Sequence, residues 1–436
     1  MRKYILLSIL FIVCTSLSAQ HLQRKPFLGI LMDTVTDDVV RVMKLSKGEG
    51  VLVKKVITRS TAEAAGFTKG DVLIKIADSI VTSPAQVVRI LKAKHTDEKV
   101  SYSLIRDKKL VTGKFTTKGW PEEIYAGLDV VYGELPSGKS LLRTIVMRPK
   151  TEGKKPALLF VPGVGCYSMD SPLDSIRAEI QLLSHLARKG YVVMKVDKSG
   201  TGDSRGIPCD QLDFNTEMEG YKLAFEQMKQ LPDVDTANCF ILGHSMGGVM
   251  APLIAKTESV KGIIAYGTIG VNFMEYWVNT RKTLADALEM NPVDKDDYIK
   301  EQCQCASMLI DLHMKKDEAI KINPHCTEMY DALLIRDYAF WDQLSAINLP
   351  QAWQAYSGKV LAMWGSTDFI SAREEHQLIA EIVNKAHPGN GTFKEVPNAS
   401  HGMETATTFA EALNKPGSYN SSIETIMSEW LQAQRN

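Results

Sequence analysis

The sequence predicts an α/β protein: a mostly parallel sheet under a helical cap, preceded by a small mixed α+β domain. Three observations predict it. Short apolar runs at 157–161, 192–196, 239–242, 262–266 and 359–364 alternate with stretches of helical spacing, as buried parallel strands with right-handed helical crossovers require. The segment 27–117 has a different texture, with short strands separated by turns. The run Cys239-Phe240-Ile241-Leu242 leads directly into GHSMGG at 243–248, a strand that turns sharply into a helix at a serine.

The first residues are not read as fold. Arg2 and Lys3 precede an apolar run from Tyr4 to Val13, and Ser16-Leu17-Ser18-Ala19 offers small residues for cleavage. Residues 1–19 therefore read as a secretory signal peptide, too short to span a bilayer. Cys14 lacks the small preceding residue of a lipoprotein site. No later run approaches the roughly 18 unbroken apolar residues of a membrane span, so no stable insertion is expected after cleavage. The mature protein is expected to be exported, periplasmic or secreted. Removing Arg2 and Lys3 from 51 basic residues leaves 49 against 51 acidic ones. A net charge near −2 offers no electrostatic footprint for nucleic acid.

The 436 residues are long for one domain. In the first, Gly50 to Val53 begins a strand, KGDVLIKI at 69–76 supplies another, a short helix runs from Pro84 to Ala93, and a strand follows from Val100 to Ile105. The run AxxAGFxxGDVLxxI from Ala62 to Ile76, with the loop Phe27-Leu28-Gly29-Ile30, resembles a PDZ domain of the bacterial protease-associated kind, covering 27–117. That resemblance implies a groove in which a peptide C-terminus adds as a strand, its carboxylate on the loop amides of Leu28, Gly29 and Ile30. Val87, Val88 and Leu91 would form the opposite wall. A groove merely packed against the second domain is the other reading.

Trp120-Pro121 marks the boundary. Alternation at 127–131 and 141–146 around Pro136-Ser137-Gly138 signals a hairpin, the antiparallel edge of the larger sheet. A second GxSxG match, GDSRG at 202–206, lies well past the strand 192–196 in a glycine-rich loop, whereas Ser245 follows its strand at once. Position therefore selects Ser245 as the nucleophile candidate. A serine hydroxyl needs a base, and the base an orienting acid. The strand Lys359 to Trp364 ends in Gly365-Ser366-Thr367-Asp368, and the strand Thr392 to Val396 ends in a loop carrying His401. Asp368 could instead cap a helix, and His401 could be an ordinary surface histidine. Their order after the serine favours acid and base.

These motifs resemble the α/β-hydrolase superfamily over residues 125–434, most nearly its dienelactone-hydrolase-like and serine-aminopeptidase-like members. The resemblance includes Pro162-Gly163-Val164-Gly165 after the third strand and a DxxGxGxS loop from Asp197 to Ser204, which accounts for the second GxSxG match. The HGGG loop of many lipases is replaced by PGVGC. It implies an oxyanion hole formed by the backbone amides of Met246 and of Val164 or a near neighbour. The implied activity is that of a secreted serine hydrolase cleaving a carboxylic ester, with no cofactor and no metal. A serine peptidase acting on short peptides is the alternative; a non-catalytic PDZ-based binding protein is a third reading.

Six cysteines follow the signal segment. Cys166 and Cys209 are placed on one rim of the sheet, where a disulfide would stiffen the oxyanion loop. Cys239 reads as a small buried hydrophobe. Cys303, Cys305 and Cys326, with His313 and His325, lack a recognised zinc spacing. A bridge from Cys303 or Cys305 to Cys326 is one reading, and buried thiols are the default. They lie in a helical insert, about 273–356, expected to cap the site. Tyr276, Trp277 and Trp341 are candidates for its pocket wall, with core packing the commoner role.

Overall fold

The computed structural model describes residues 22–43, 45 and 48–435. The signal segment and Cys14 lie outside them. An antiparallel sheet comes first: β1 (Ile30–Thr34), β2 (Val51–Val56), β3 (Val72–Ile76), β4 (Ser79–Ile80), β5 (Lys99–Arg106) and β6 (Lys109–Thr116), in the order β1-β2-β3-β5-β6 with β4 beside β3. Helices α1 (Asp37–Met43), α2 (Thr61–Ala64) and α3 (Pro84–Lys92) accompany it. Ser83 caps α3 by accepting the Gln86 N–H, Pro84 opens its first turn, and Val87 and Leu91 turn inward. They pack with Leu28, Val53, Leu73 and Leu104 in a core of their own.

The second sheet has eight strands in the order β14-β13-β12-β11-β9-β10-β8-β7. The hairpin β7 (Leu128–Ser137) and β8 (Ser140–Pro149) forms the antiparallel edge, turning at Gly138 with φ 55°. The other strands run parallel: β9 (Lys155–Val161), β10 (Val192–Val196), β11 (Val234–His244), β12 (Gly262–Tyr266), β13 (Lys359–Gly365) and β14 (Gly391–Val396). Every residue of β9, β10 and β12 is buried, as strands covered on both faces must be. One face carries α4 (Ala178–Arg188) and the last helix, and the other carries α5 (Phe214–Lys229) and α6 (Met246–Ile254), each with its own apolar cluster.

Between β12 and β13 run α7 (Phe273–Ala287), α8 (Pro292–Ile310), α9 (Lys316–Ile322), α10 (Cys326–Leu333), α11 (Tyr338–Ser345) and α12 (Leu349–Ala355). Helix α13 (Arg373–Ala386) precedes β14, and α14 (Phe409–Asn414) and α15 (Ser422–Ala433) close the chain. Trp277 and Trp341 are buried in the core beneath the insert, and Tyr276 is half-buried against it. The default reading of its cysteines as thiols is corrected for one pair: Cys305 and Cys326 form a disulfide between α8 and α10, while Cys303 is free. Cys305 sits on the fully buried face of α8, and Cys303, two positions earlier, turns away.

Ion pairs on Glu123 and Arg24 tie the first domain and the connection to the larger domain. Glu123, in the connection between them, takes the ammonium of Lys195 from β10 at 2.6 Å, both side chains fully enclosed. Arg24, ahead of β1, pairs with Asp170 and, at 2.7 Å, with Asp203 of the larger domain.

Candidate active site

The site is assembled at the carboxyl ends of β9, β11, β12, β13 and the loop after β14. Strand β11 is apolar and buried from Cys239 to Leu242, so it stays in the sheet until the chain is forced around at Ser245, where φ is 54° and ψ −120°. That conformation is costly for a residue with a Cβ and is held by its surroundings. The Ser245 N–H donates to Tyr266 O at 2.9 Å, and Thr268 Oγ1 donates to Ser245 O at 2.9 Å. The second glycine of the motif is sterically required: a Cβ on Gly247 would stand 1.9 Å from Val161 O. Helix α6 can therefore start against the end of β9. Gly163 lies beside Ser245, where an added Cβ would be 3.7 Å from Ser245 Oγ.

Asp368, fully buried after β13, accepts four hydrogen bonds. Oδ1 takes the N–H groups of Ile370 at 2.8 Å and Ser371 at 3.0 Å; Oδ2 takes Ser371 Oγ at 2.6 Å and His401 Nδ1 at 2.9 Å. Burial pushes its pKa up, but His401 and the Ser371 donors outweigh that and hold it below the usual carboxylate value. With Nδ1–H committed to the carboxylate, the Nε2 lone pair of His401 is free to act as a base. Serine, acid and histidine share one end of the sheet. A Cβ on Gly267, the residue after Tyr266, would meet both His401 Nδ1 and Asp368 Oδ2, at 3.0 and 3.1 Å. Ser204 has no such setting: its buried Oγ donates to Asp197 O at 3.0 Å and accepts the Arg143 N–H at 2.8 Å, pinning the loop to β8.

Among the described residues, nothing accepts a hydrogen bond from the N–H of Met246 or Val164. Cys166 and Cys209 are joined, anchoring the Val164 loop to the chain after β10. Two histidines outside the predicted set brace the site. His244 Nε2 donates to His401 O at 2.9 Å, and its Nδ1 stands 3.4 Å from Glu179 Oε1. Burial works against ionisation of Glu179, but His244, Arg177 and Tyr167 overcome it and bring its pKa to about 2. His376 donates from Nδ1 to Ala372 O at 2.8 Å and accepts the Thr268 N–H on Nε2 at 2.9 Å, which fixes a neutral ring. The first motif gave a signal for His244, as the residue before the serine. His376 had none, because its partner lies 108 residues away.

Burial pushes the His376 pKa down to about 4 from 6.5. The unfolded ring gains its proton below about 6.5 and the native ring only near 4, so stability falls as pH drops through that window, by about 3 kcal/mol in all. Glu179, depressed to about 2, adds its own loss only below about 4.5. Glu375, which burial raises to about 7, and Asp197, raised to about 6, contribute in the opposite sense over the same range, so the His376 contribution is read as the difference between wild type and variant in thermal unfolding followed from pH 7 to pH 5. The variant is His376→Gln, which keeps one donor and one acceptor and is expected to lack that contribution.

At the other domain, Leu28 and Ile30 are buried and Gly29 has φ 74°. Strand β1 is an edge strand, and between it and α3 opens a cavity of about 790 Å³. Phe27, Leu28, Ile30, Val88 and Leu91 line it on the PDZ side, and Arg205 on the side of the larger domain. The described residues contain no group of three His, Cys, Asp or Glu placed to hold a metal ion.

The serine aminopeptidase S33 family matches residues 174–406, and the PDZ domain family matches residues 26–116. The chain is similar to esterase EstD of Thermotoga maritima, with 27% identity over 117 residues, 27% of each chain. It is also similar to a probable periplasmic serine endoprotease DegP-like of Marinomonas sp., with 26% identity over 99 residues, 23% of this chain and 21% of the relative. Neither match spans more than 27% of the relative's own length. Among solved structures, it is similar to an esterase of Pyrococcus furiosus at 13% identity and TM-score 0.44, covering 72% of this chain and 96% of that one. The likeness to Est1E from Butyrivibrio proteoclasticus, solved with ferulic acid, is 14% with TM-score 0.45, covering 70% and 99%.

Proposed function

The chain belongs to the serine aminopeptidase S33 family of α/β-hydrolases and carries an N-terminal PDZ domain, and on that premise we propose that it is an exported serine hydrolase cleaving carboxylic esters. The observation that carries the reading is the buried Asp368 oriented on His401 at 2.9 Å, beside a serine strained onto a strand-to-helix elbow. Ser245 Oγ attacks the ester carbonyl while His401 Nε2 takes its proton. The oxyanion sits on the Met246 and Val164 amides. His401 returns the proton to the leaving alkoxide, which departs as the alcohol. Water then adds to the acyl-serine, with His401 again as base, releasing the acid and restoring the serine. Export is supported by the two disulfides, which persist in oxidising compartments.

Peptidase action on short peptides is the second reading, favoured by the description of the matching family. A panel of short-chain aryl esters beside aminoacyl arylamides separates the two. Turnover of esters with arylamides at least about a hundredfold slower in kcat/KM is expected, and the reverse order would replace esterase by peptidase. The PDZ groove is proposed to take a peptide C-terminus, supported by its free strand edge and its apolar wall. Leu91→Asp should abolish capture of carboxyl-terminal peptides from a random library while leaving ester turnover intact; equal capture would remove that role.

A further inference from the structure

The oxyanion loop rests on a buried ionic group that the chemistry above leaves unused. Lys198, on the loop after β10, Glu217 of α5 and Arg336, between α10 and α11, are each at most 4% exposed. Lys198 Nζ lies 3.0 Å from Glu217 Oε1, and Arg336 Nη2 pairs with Glu217 Oε2. Two basic side chains thus share one carboxylate. Their remaining donors go to the oxyanion loop: Lys198 Nζ donates to Gly163 O at 2.6 Å, and Arg336 Nη1 donates to Val164 O at 3.1 Å. Arg336 also donates to Leu212 O at 3.2 Å and reaches Cys209 Sγ of the loop's disulfide at 3.5 Å, with Phe340 under its guanidinium.

Burying two such groups for one counter-charge is costly unless their hydrogen bonds are used well. The carbonyl that Lys198 engages belongs to the same peptide unit as the Val164 N–H. Hydrogen bonding to that oxygen draws electron density from the nitrogen and makes the N–H a stronger donor, as in any polarised hydrogen-bond chain. The Arg336 bond fixes the next carbonyl, so the Val164 peptide is held on both sides and its N–H cannot rotate away. We propose that Lys198 and Arg336 are positioning residues of the oxyanion hole, Lys198 polarising and Arg336 orienting the Val164 amide. The helical insert, which carries Arg336, is thereby wired to transition-state stabilisation as well as to the pocket.

The inference rests on Ser245 acting as the nucleophile. Its test compares wild type with Lys198→Gln, which keeps a neutral donor, and Lys198→Met, which keeps only the volume and leaves Glu217 to Arg336. Since removing one oxyanion donor outright costs about 10²–10³ in kcat, weakening one should lower kcat about tenfold in Gln and about 30- to 100-fold in Met. KM should stay within about threefold, and affinity for a trifluoromethyl ketone, a tetrahedral-adduct mimic, should fall in step with kcat. Equal losses in the two variants, a loss confined to KM, or unchanged kcat and ketone affinity would overturn it. A second measurement needs no variant: in protein labelled with ¹⁵N-valine, the Val164 amide proton should move downfield by about 1 ppm or more when Ser245 is phosphonylated, and a stationary resonance overturns the proposal. An inactive, unlabelled wild type would instead sink the hydrolase reading itself.

Discussion

Ser245→Ala is expected to lower kcat for a short-chain aryl ester by about 10⁴- to 10⁶-fold and to abolish labelling by a fluorophosphonate, with thermal stability unchanged or slightly raised. The size follows from the role: without Oγ no acyl-enzyme forms, and only binding and the oxyanion amides remain to help water attack. The stability follows from the backbone. Ser245 Oγ makes no hydrogen bond within the described residues, and the elbow is held by the Ser245 N–H and C=O, which alanine retains. Ser204→Ala is the matched control. It breaks two buried hydrogen bonds and should cost about 1–3 kcal/mol of stability, with labelling retained. Labelling that survives in Ser245→Ala and disappears in Ser204→Ala would reverse the assignment of the two motifs. A wild type that neither labels nor turns over ester would leave the PDZ-based binding protein as the better account.

What could be read from the sequence was local. Ser245, Asp368 and His401 each lie a few residues past a separate strand-like run, so short-range pattern brings each to a strand's carboxyl end before any contact is known. The hairpin around Gly138 was legible for the same reason. Strand β6 was not anticipated, although Lys109 to Thr116 follows Asp107 and Lys108, whose φ values of 48° and 65° make the tight turn; neither residue is a glycine or asparagine, the usual marks of such a turn. The ionic group under the Gly163–Val164 loop was illegible for a different reason. A lysine, a glutamate and an arginine read as solvated in any local window, and only the fold brings Arg336 to Glu217 across 119 residues and to Val164 across 172. The choice of Cys305 over Cys303 likewise depends on which face of α8 meets α10, which spacing alone leaves open.

Asp368→Asn is expected to reduce kcat by about 10⁴ with little change in KM or stability, and the hydrogen bonds around the carboxylate say why. Oδ1 receives two backbone N–H groups, so the carbonyl oxygen of an asparagine must occupy that position. Its NH₂ then replaces Oδ2 and points at His401 Nδ1, formerly 2.9 Å from an acceptor. A donor there forces Nδ1 to accept, which moves the ring proton to Nε2, the atom that must take the proton from Ser245. The imidazole keeps its place and has the wrong tautomer for the work. Ser371→Ala makes the complementary test. It removes the 2.6 Å bond to Oδ2 and leaves the His401 bond, so the acid is less well fixed and the tautomer is unchanged; a loss on the order of tenfold is expected. Steady-state kinetics and thermal unfolding on the two variants measure both. If Asp368→Asn costs less than tenfold while remaining folded, Asp368 is not the group that orients the base. If Ser371→Ala costs as much as Asp368→Asn, the network acts through placement of the loop and not through the tautomer of His401.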